Sequence, residues 1–146
     1  MYTQYNKSAF KSAFKSAFKS EEQQKISERK SCANAAANGS LTNLQNLRDK
    51  GYDWDESTCI NAALEGQNEI LRWACRNGCP MSATTFVAIV SSLKTPDLSI
   101  LDWLKIRSCP WDIRVLRMAR ERDREDIIEW LIKNDYPLEW FDEDNE

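Results

Sequence analysis

The stretch TCINAALEGQNEILRWACRNGCP, residues 58–80, decides the fold, because it contains the start and stop signals of two short helices. We expect Ser57 or Thr58 to cap a first helix that Gly66 ends. A second, amphipathic helix follows from about residue 68, and Gly78 closes it before a proline that cannot continue a helix. The stretch therefore predicts a pair of short antiparallel helices.

The same pattern recurs along most of the chain. When the sequence is aligned with itself, Cys32 matches Cys59. Further along, Trp73 matches Trp103, and Trp103 matches Trp130. Four units result, at residues 31–57, 58–84, 85–114 and 115–141, and the third contains three extra residues near 93–96. Because one helix pair cannot bury its apolar face alone, we expect the pairs to stack into a solenoid.

Residues 58–66 and the Asn-Gly-Cys-Pro ending at 77–80 resemble an ankyrin repeat, with the small pair Ala62 and Ala63 in register. The short period is similar to that of ankyrin-like arrays in large DNA viruses and some protists. This resemblance covers residues 31 to about 140. It implies an all-α solenoid of about four helix-turn-helix repeats, in which the projecting β-hairpin finger is reduced to a tight loop. It also implies a non-enzymatic adaptor that binds other proteins, directed at host proteins if the source is a virus.

Residues 1–30 form a basic, low-complexity tail. They carry seven Lys/Arg against three Glu, a net charge of +4, whereas residues 31–146 have a net charge of −7. The motif Lys-Ser-Ala-Phe occurs three times from Lys7 onwards, and on a helix its phenylalanines would form one stripe beside the lysines. The candidate contact residues of this tail are Phe10, Lys11, Phe14, Lys15, Phe18 and Lys19.

Three interpretations of the tail remain open. We favour a floppy or weakly helical segment, since fourteen residues form only a marginal helix in water. A dedicated helix that binds an anionic membrane or a partner is the alternative, and a mitochondrial-type presequence is the third. Ser20 begins a capping box, so we expect a helix to start there.

The composition excludes several kinds of catalytic and membrane protein. The chain has no histidine, which rules out Ser-His-Asp and Cys-His catalysis and zinc sites with histidine ligands. It has no apolar run of about 18 residues that could span a membrane. Five cysteines without a secretory signal favour a reducing compartment, the cytoplasm with the nucleus as an alternative. We predict no enzyme activity, no cofactor and no metal, and interpret Cys75 and Cys79 as core thiols.

Large apolar residues recur in the connections between repeats. They are Trp54, Met81, Trp111 and Leu138, one in each connection. If these side chains are exposed, they form an apolar strip suited to binding a partner. If they fold back, they seal the junctions between repeats, which is the arrangement that we favour.

We expect the partner, another protein, to lie along the concave face formed by the first helices and the loops. The polar candidates on this face are Asn61, Glu65, Ser82, Thr84 and Asp112. Nucleic acid or an anionic membrane would bind only through residues 1–20, and no small-molecule substrate is expected. The rival interpretation is a structural component of a larger assembly, or a protein tethered to a membrane or nucleic acid through the Lys-Ser-Ala-Phe tail. The C-terminal residues 142–146 are predicted to be an acidic solubilising end.

One further group of charges comes from unit four. Its arginines are Arg114, Arg117, Arg120 and Arg124, which we place on one face of the first helix of that unit. Acidic residues at 121, 123, 125 and 126 are interleaved with them. A solvated, internally paired face is therefore favoured over a phosphate or acidic-peptide site.

Overall fold

The computed structural model describes residues 6–94, 97–137 and 139, and within these ranges it contains eight α-helices and no strand. The predicted all-α class is therefore confirmed. The helices are α1 (Lys7–Ala37), α2 (Leu41–Asp49), α3 (Glu56–Leu64), α4 (Asn68–Arg76), α5 (Ala83–Ser91), α6 (Leu98–Ile106), α7 (Ile113–Glu121) and α8 (Glu125–Lys133).

The helix boundaries repeat with the spacing found in the sequence. The second helices α2, α4, α6 and α8 begin at positions 41, 68, 98 and 125. The steps between these starts equal the steps from Cys32 to Cys59, from Trp73 to Trp103 and from Trp103 to Trp130. The first helices α3, α5 and α7 begin at positions 56, 83 and 113.

The three extra residues of the third unit lie in the connection from α5 to α6. This connection has six residues, whereas the corresponding connections of the other pairs have three. The longer connection changes the spacing of the helices around it but not their length, since α5 and α6 each have nine residues like α3 and α4.

The first helices begin two residues earlier than the predicted unit boundaries at 58, 85 and 115. The predicted cap of α3 is also wrong, because Asp55 is the N-cap and neither Ser57 nor Thr58 precedes the helix. The Asp55 Oδ1 atom accepts the Ser57 amide hydrogen bond at 3.0 Å. Asp112 caps α7 in the same way, with its Oδ1 atom 3.0 Å from the Arg114 amide nitrogen. Aspartate binds the free amides at a helix start as well as serine or threonine does.

Each second helix ends at a residue in the left-handed conformation. This residue is Gly78 after α4, with φ of 86°, and Ser108 after α6, with φ of 55°. The corresponding residues of the other pairs are Gly51 and Asp135. A left-handed residue lets the following amide bond back to the helix, as Cys79 and Cys109 do to the carbonyls of Ala74 and Leu104. The second helices therefore end at a left-handed residue even where that residue is not glycine.

The first helices pack on one another in series: α1 against α3, α3 against α5, and α5 against α7. The second helices α2, α4 and α8 pack against the first helix of their own pair. The small residues Ala62 and Ala63 are fully buried in α3, which contacts α1, α4 and α5. Small side chains are needed there because three helices approach the same segment.

The tryptophans of the second helices differ in how deeply they are buried. Trp130 is buried, and its Nε1 atom donates to Asp102 Oδ1 at 2.7 Å. Trp73 and Trp103 are only half-buried and lie at the edge of the core. The Arg72 guanidinium covers Trp103, 5.1 Å from the ring centroid. An indole ring is large enough to contact the core with one edge and solvent with the other.

Helix α1 differs most from the sequence prediction. It runs without a break from Lys7 to Ala37, with Asn6 as its N-cap, so the expected helix start at Ser20 is wrong. The Asn6 Oδ1 atom accepts the Ser8 amide at 3.2 Å. The segment is not an isolated peptide: Cys32, Ala33, Ala35 and Ala36 are buried in the core, and this part of α1 provides the nucleus from which the helix extends. Every residue from 7 to 25 is exposed, a projection about 28 Å long at 1.5 Å per residue.

Candidate functional site

The large side chains that precede the first helices fold back onto the core. Trp54, Met81 and Trp111 are all half-buried and pack against the buried hydrophobic cluster. Trp111 makes edge contacts with Trp130 and Tyr136, with ring centroids 5.8 and 5.4 Å apart. At these three positions the side chains therefore cover the junctions between repeats and do not form an exposed apolar strip. The fourth predicted member, Leu138, lies outside the described residues.

Trp54 is held between an aromatic ring and a cation. Its ring meets Trp73 edge-on, with 5.9 Å between centroids. The Arg48 guanidinium carbon lies 4.0 Å from the centroid of the Trp54 ring. A guanidinium at this distance is attracted by the negative face of the indole. The Arg48 side chain also donates to the Tyr52 carbonyl, which fixes the connection that precedes α3.

Three of the predicted polar residues come together at the N-terminal ends of α5 and α7. The Arg114 guanidinium donates to both carboxylate oxygens of Asp112, at 2.7 to 3.0 Å. It also reaches the Thr84 hydroxyl at 3.5 Å. Ser82 is the N-cap of α5, and its amide donates to the Thr85 hydroxyl at 3.3 Å. We name Ser82, Thr84, Asp112 and Arg114 the cap cluster.

The Arg114 hydrogen bonds lower the pKa of Asp112 below its usual range, and the same bonds raise the pKa of Arg114. The cap cluster therefore presents the hydrogen-bonded ion pair of Arg114 and Asp112 beside the half-exposed hydroxyl of Thr84. Sequence reasoning missed the part that Arg114 plays. Its position two residues after a helix-capping aspartate is the signal that could have identified it.

The other two predicted polar residues do not join the cap cluster. Asn61 is half-buried in the last turn of α3, and Glu65 follows the end of that helix. Glu65 is ten residues from Asp55, about 15 Å along the helix axis. The Glu65 carbonyl accepts a hydrogen bond from Lys94 Nζ at 2.7 Å. Glu65 therefore lies at the opposite end of its helix from the helix starts that carry the cap cluster, and a concave surface shared by all five polar residues stays a prediction.

A second surface forms around the long α5–α6 connection, where Leu93 is 91% exposed. An open depression of about 340 Å³ lies on one side of Leu93 and is lined also by Leu64, Glu65 and Lys94. A smaller depression of about 200 Å³ is also lined by Leu93, together with Arg122 and Arg124. Sequence reasoning missed this surface. The three extra residues in the third unit were the available signal.

The four arginines predicted for one helix face are divided between two elements. Arg114, Arg117 and Arg120 lie in α7, but Arg124 is the N-cap of α8. Arg124 forms two hydrogen bonds with Asp126, at 2.7 and 2.8 Å, and thereby lowers the pKa of that carboxyl. The left-handed turn at Asp123 separates the two helices, so a single four-arginine face is not formed.

After α4, α6 and α8, a side chain bonds back to the N-cap residue of the first helix of the same pair. The Cys79 thiol donates to the Asp55 carbonyl at 3.3 Å, and the Cys109 thiol donates to the Ser82 carbonyl at 3.6 Å. The Tyr136 hydroxyl donates to the carbonyl of Asp112. Cys79, Cys109 and Tyr136 all follow the left-handed residue that ends a second helix. Equivalent residues therefore make the same bond within three consecutive pairs.

The remaining cysteines include one close pair. The Sγ atoms of Cys59 and Cys75 are 3.6 Å apart, between α3 and α4. Burial raises the pKa of Cys109 to about 12, and it also raises the pKa of Cys32. All five cysteines are free thiols. In the described part of the chain, three or more His, Cys, Asp or Glu side chains nowhere converge as a metal site would require.

The projecting part of α1 exposes the predicted aromatic stripe. Phe10, Phe14 and Phe18 are 58%, 66% and 64% exposed. Lys11, Lys15 and Lys19 are exposed beside them, and Glu21 is the first acidic residue that follows. Within the described ranges, we find no helix with both the length and the apolar character needed to cross a membrane.

The base of α1 is attached to the following connection by an ion pair. The Arg29 guanidinium donates twice to Asp53 Oδ2, at 3.0 and 2.9 Å, and lowers the pKa of that carboxyl. The Asp53 amide donates to Glu28 Oε2 at 3.2 Å. These bonds set the direction in which the free part of α1 leaves the helix pairs.

Comparison with known proteins adds no relatives. A scan against protein-family models, a search of curated proteins and a search of solved structures each found no match.

Proposed function

We propose that residues 31–141 form an ankyrin-like solenoid that works as a non-enzymatic protein-interaction module. The observation that supports this proposal is the serial packing of α1, α3, α5 and α7, combined with helix starts that recur at the intervals of the sequence repeat. Helix pairs stacked in this way offer an extended, rigid surface for binding. The five free thiols favour a reducing compartment, the cytoplasm or the nucleus. If the source is a virus, the module is an adaptor for host proteins.

The partner binds, in this proposal, at the cap cluster. Arg114 is exposed there and oriented by its bonds to Asp112, so it loses little side-chain freedom when a partner binds. Arginine and tryptophan are enriched among residues that dominate binding energy, and Trp111 precedes the cluster directly. The net charge of −7 on residues 31–146 disfavours nucleic acid as the ligand of this surface.

Affinity purification with mass spectrometry tests the proposal on three forms of the full chain. These are the wild type, Arg114→Ala, and Glu129→Ala as a matched control on the exposed face of α8. We expect a stoichiometric protein that the wild type and Glu129→Ala retain and that Arg114→Ala loses. Circular dichroism and thermal melting establish that all three forms are folded. The proposal fails if no stoichiometric partner is found, or if Arg114→Ala retains it fully.

The projecting helix supports a second function, attachment to an anionic lipid surface. At 100° per residue, the phenylalanines form one stripe, with the alanines on one flank and the lysines on the other, while Ser12 and Ser16 lie opposite the phenylalanines. Such a helix lies in the membrane interface with its apolar side buried among the lipid headgroups. Lysines near an anionic surface contribute about 1 kcal/mol each, and residues 7–20 contain four lysines and no acid.

Vesicle co-sedimentation tests this attachment. We expect the full chain to bind vesicles of phosphatidylcholine with phosphatidylserine, and not vesicles of phosphatidylcholine alone. Replacing Phe10, Phe14 and Phe18 by Gln removes binding, whereas the matched change of Ser12 and Ser16 to Gln leaves it intact. Absence of vesicle binding overturns the proposal. Capture of nucleic acid, or of a stoichiometric neighbour in a larger assembly, through α1 would replace the lipid by that ligand.

A further inference from the structure

We propose that Cys59 and Cys75 are a redox-active pair that a hydroperoxide converts into a reversible disulfide. Their Sγ atoms lie 3.6 Å apart and belong to adjacent helices, α3 and α4, of one pair. A disulfide needs a separation of about 2.05 Å, so the two sulfurs must approach by about 1.5 Å. Rotation of the two side chains can provide a movement of this size without separating the helices.

The two thiols differ in the way that such a reaction requires. Cys75 is half-buried, so a small peroxide can reach it, whereas Cys59 is 0% exposed. The Cys59 thiol donates a hydrogen bond that lowers the pKa of Cys75, and the positive charge of Arg107 lowers that pKa further. The same contact raises the pKa of Cys59. Cys75 is therefore the nucleophile, and Cys59 is the resolving thiol behind it.

The reaction has two balanced steps. The Cys75 thiolate attacks one oxygen of the hydroperoxide, the O–O bond breaks, and the leaving alkoxide or hydroxide takes up a proton, which leaves Cys75 as a sulfenic acid. The Cys59 sulfur then attacks the Cys75 sulfur, the S–O bond breaks, and hydroxide leaves with the Cys59 proton as water. Two thiols have lost two electrons and two protons, and the peroxide has become an alcohol or water, with one further water.

The other buried thiols serve as internal controls. Cys79 and Cys109 each donate to a backbone carbonyl and are nearly fully buried, so a peroxide reaches their sulfur atoms less easily than that of Cys75. Cys32 is completely buried, and burial raises its pKa. We therefore expect these three cysteines to react much more slowly than Cys75.

Peptide mapping of the full chain identifies the bond. The reduced protein is treated with hydrogen peroxide, its free thiols are blocked with iodoacetamide, and it is digested with trypsin. Cleavage after Lys50, Arg72, Arg76 and Lys94 separates Cys59, Cys75 and Cys79 onto peptides 51–72, 73–76 and 77–94. We expect peptides 51–72 and 73–76 to be joined, with an intact mass about 2 Da lower that dithiothreitol restores.

Variants distinguish the two roles. Cys75→Ser abolishes the link, whereas Cys59→Ala leaves Cys75 as a sulfenic acid that dimedone traps. Cys79→Ser is the matched control and still forms the link. Because Cys59→Ala removes a core side chain, its melting curve is measured, and the wild-type peptide map decides the matter if that variant is unfolded. The proposal is overturned if the wild type shows no loss of mass, if peptide 77–94 is the one joined, or if Cys75 is oxidised irreversibly.

Discussion

Ser108 ends α6 in the left-handed conformation, with φ of 55°, at the position where Gly78 ends α4. The left-handed conformation costs an L-residue with a side chain about 1–2 kcal/mol. Glycine avoids this cost but loses about 0.5–1 kcal/mol more in chain entropy on folding. Ser108→Gly should therefore raise the free energy of unfolding by about 0.5–1 kcal/mol, which corresponds to a melting temperature higher by about 1–4 °C for a chain of this size.

The reverse change at Gly78 is the matched control. A Cβ atom added to Gly78 meets no heavy atom within 4 Å, so Gly78→Ala introduces backbone strain without a clash. We expect it to lower the free energy of unfolding by about 1 kcal/mol. Gly66 could not serve this purpose, because an added Cβ would lie 2.8 Å from the Lys94 side chain.

Urea denaturation followed by tryptophan fluorescence measures both changes, since the chain has six tryptophans. The urea midpoints of the two variants should move in opposite directions. The slope of the free energy of unfolding against urea concentration should stay constant. If Ser108→Gly leaves the midpoint unchanged or lower, and Gly78→Ala is neutral, the two helix ends are not equivalent. The reasoning that treats α3–α4 and α5–α6 as copies of one structural unit would then be refuted.

Three other predictions concern stability. Phe86→Ala should lower the free energy of unfolding by about 3–5 kcal/mol, because Phe86 is fully buried against Trp111 and Trp130; equal urea midpoints would contradict this. Ala63→Leu should cost about 1–3 kcal/mol, since Ala63 is buried in α3, and an unchanged melting temperature would show that the neighbouring helices can move apart. The Arg29 hydrogen bond lowers the pKa of Asp53 below 3.8 in the folded protein, so the ionised carboxylate stabilises the fold above that pH and the contribution is lost as the pH falls through the lowered pKa. Denaturation measured from pH 6 to pH 3 should thus show a smaller acid-induced loss for Asp53→Asn than for the wild type, and identical losses would exclude the contribution.

The sequence alone determined the helical class and the spacing of the helices. Glycines, prolines and small-residue pairs recur along the chain, and the helix boundaries recur at the same intervals. These features are local: a stop depends on one residue's backbone preference, and a helix face depends on side chains three or four residues apart. Helix ends and helix faces can therefore be predicted from the sequence without knowing which helices pack together. The left-handed stops at Ser108 and Asp135 could not be predicted in this way, because serine and aspartate occur at many other positions and, unlike glycine, do not mark a helix end.

Only the tertiary structure decided the features that join distant residues. Arg114 bridges Asp112 and Thr84 across two helices, and Cys75 meets Cys59 from a neighbouring helix. It also decided that the Lys-Ser-Ala-Phe segment is helical, because a packed segment further along α1 supplies the nucleus that fourteen residues lack by themselves. Contacts of this kind depend on how helices are placed against one another. That placement is set by burial of apolar surface, which is not directional and leaves no fixed spacing in the sequence.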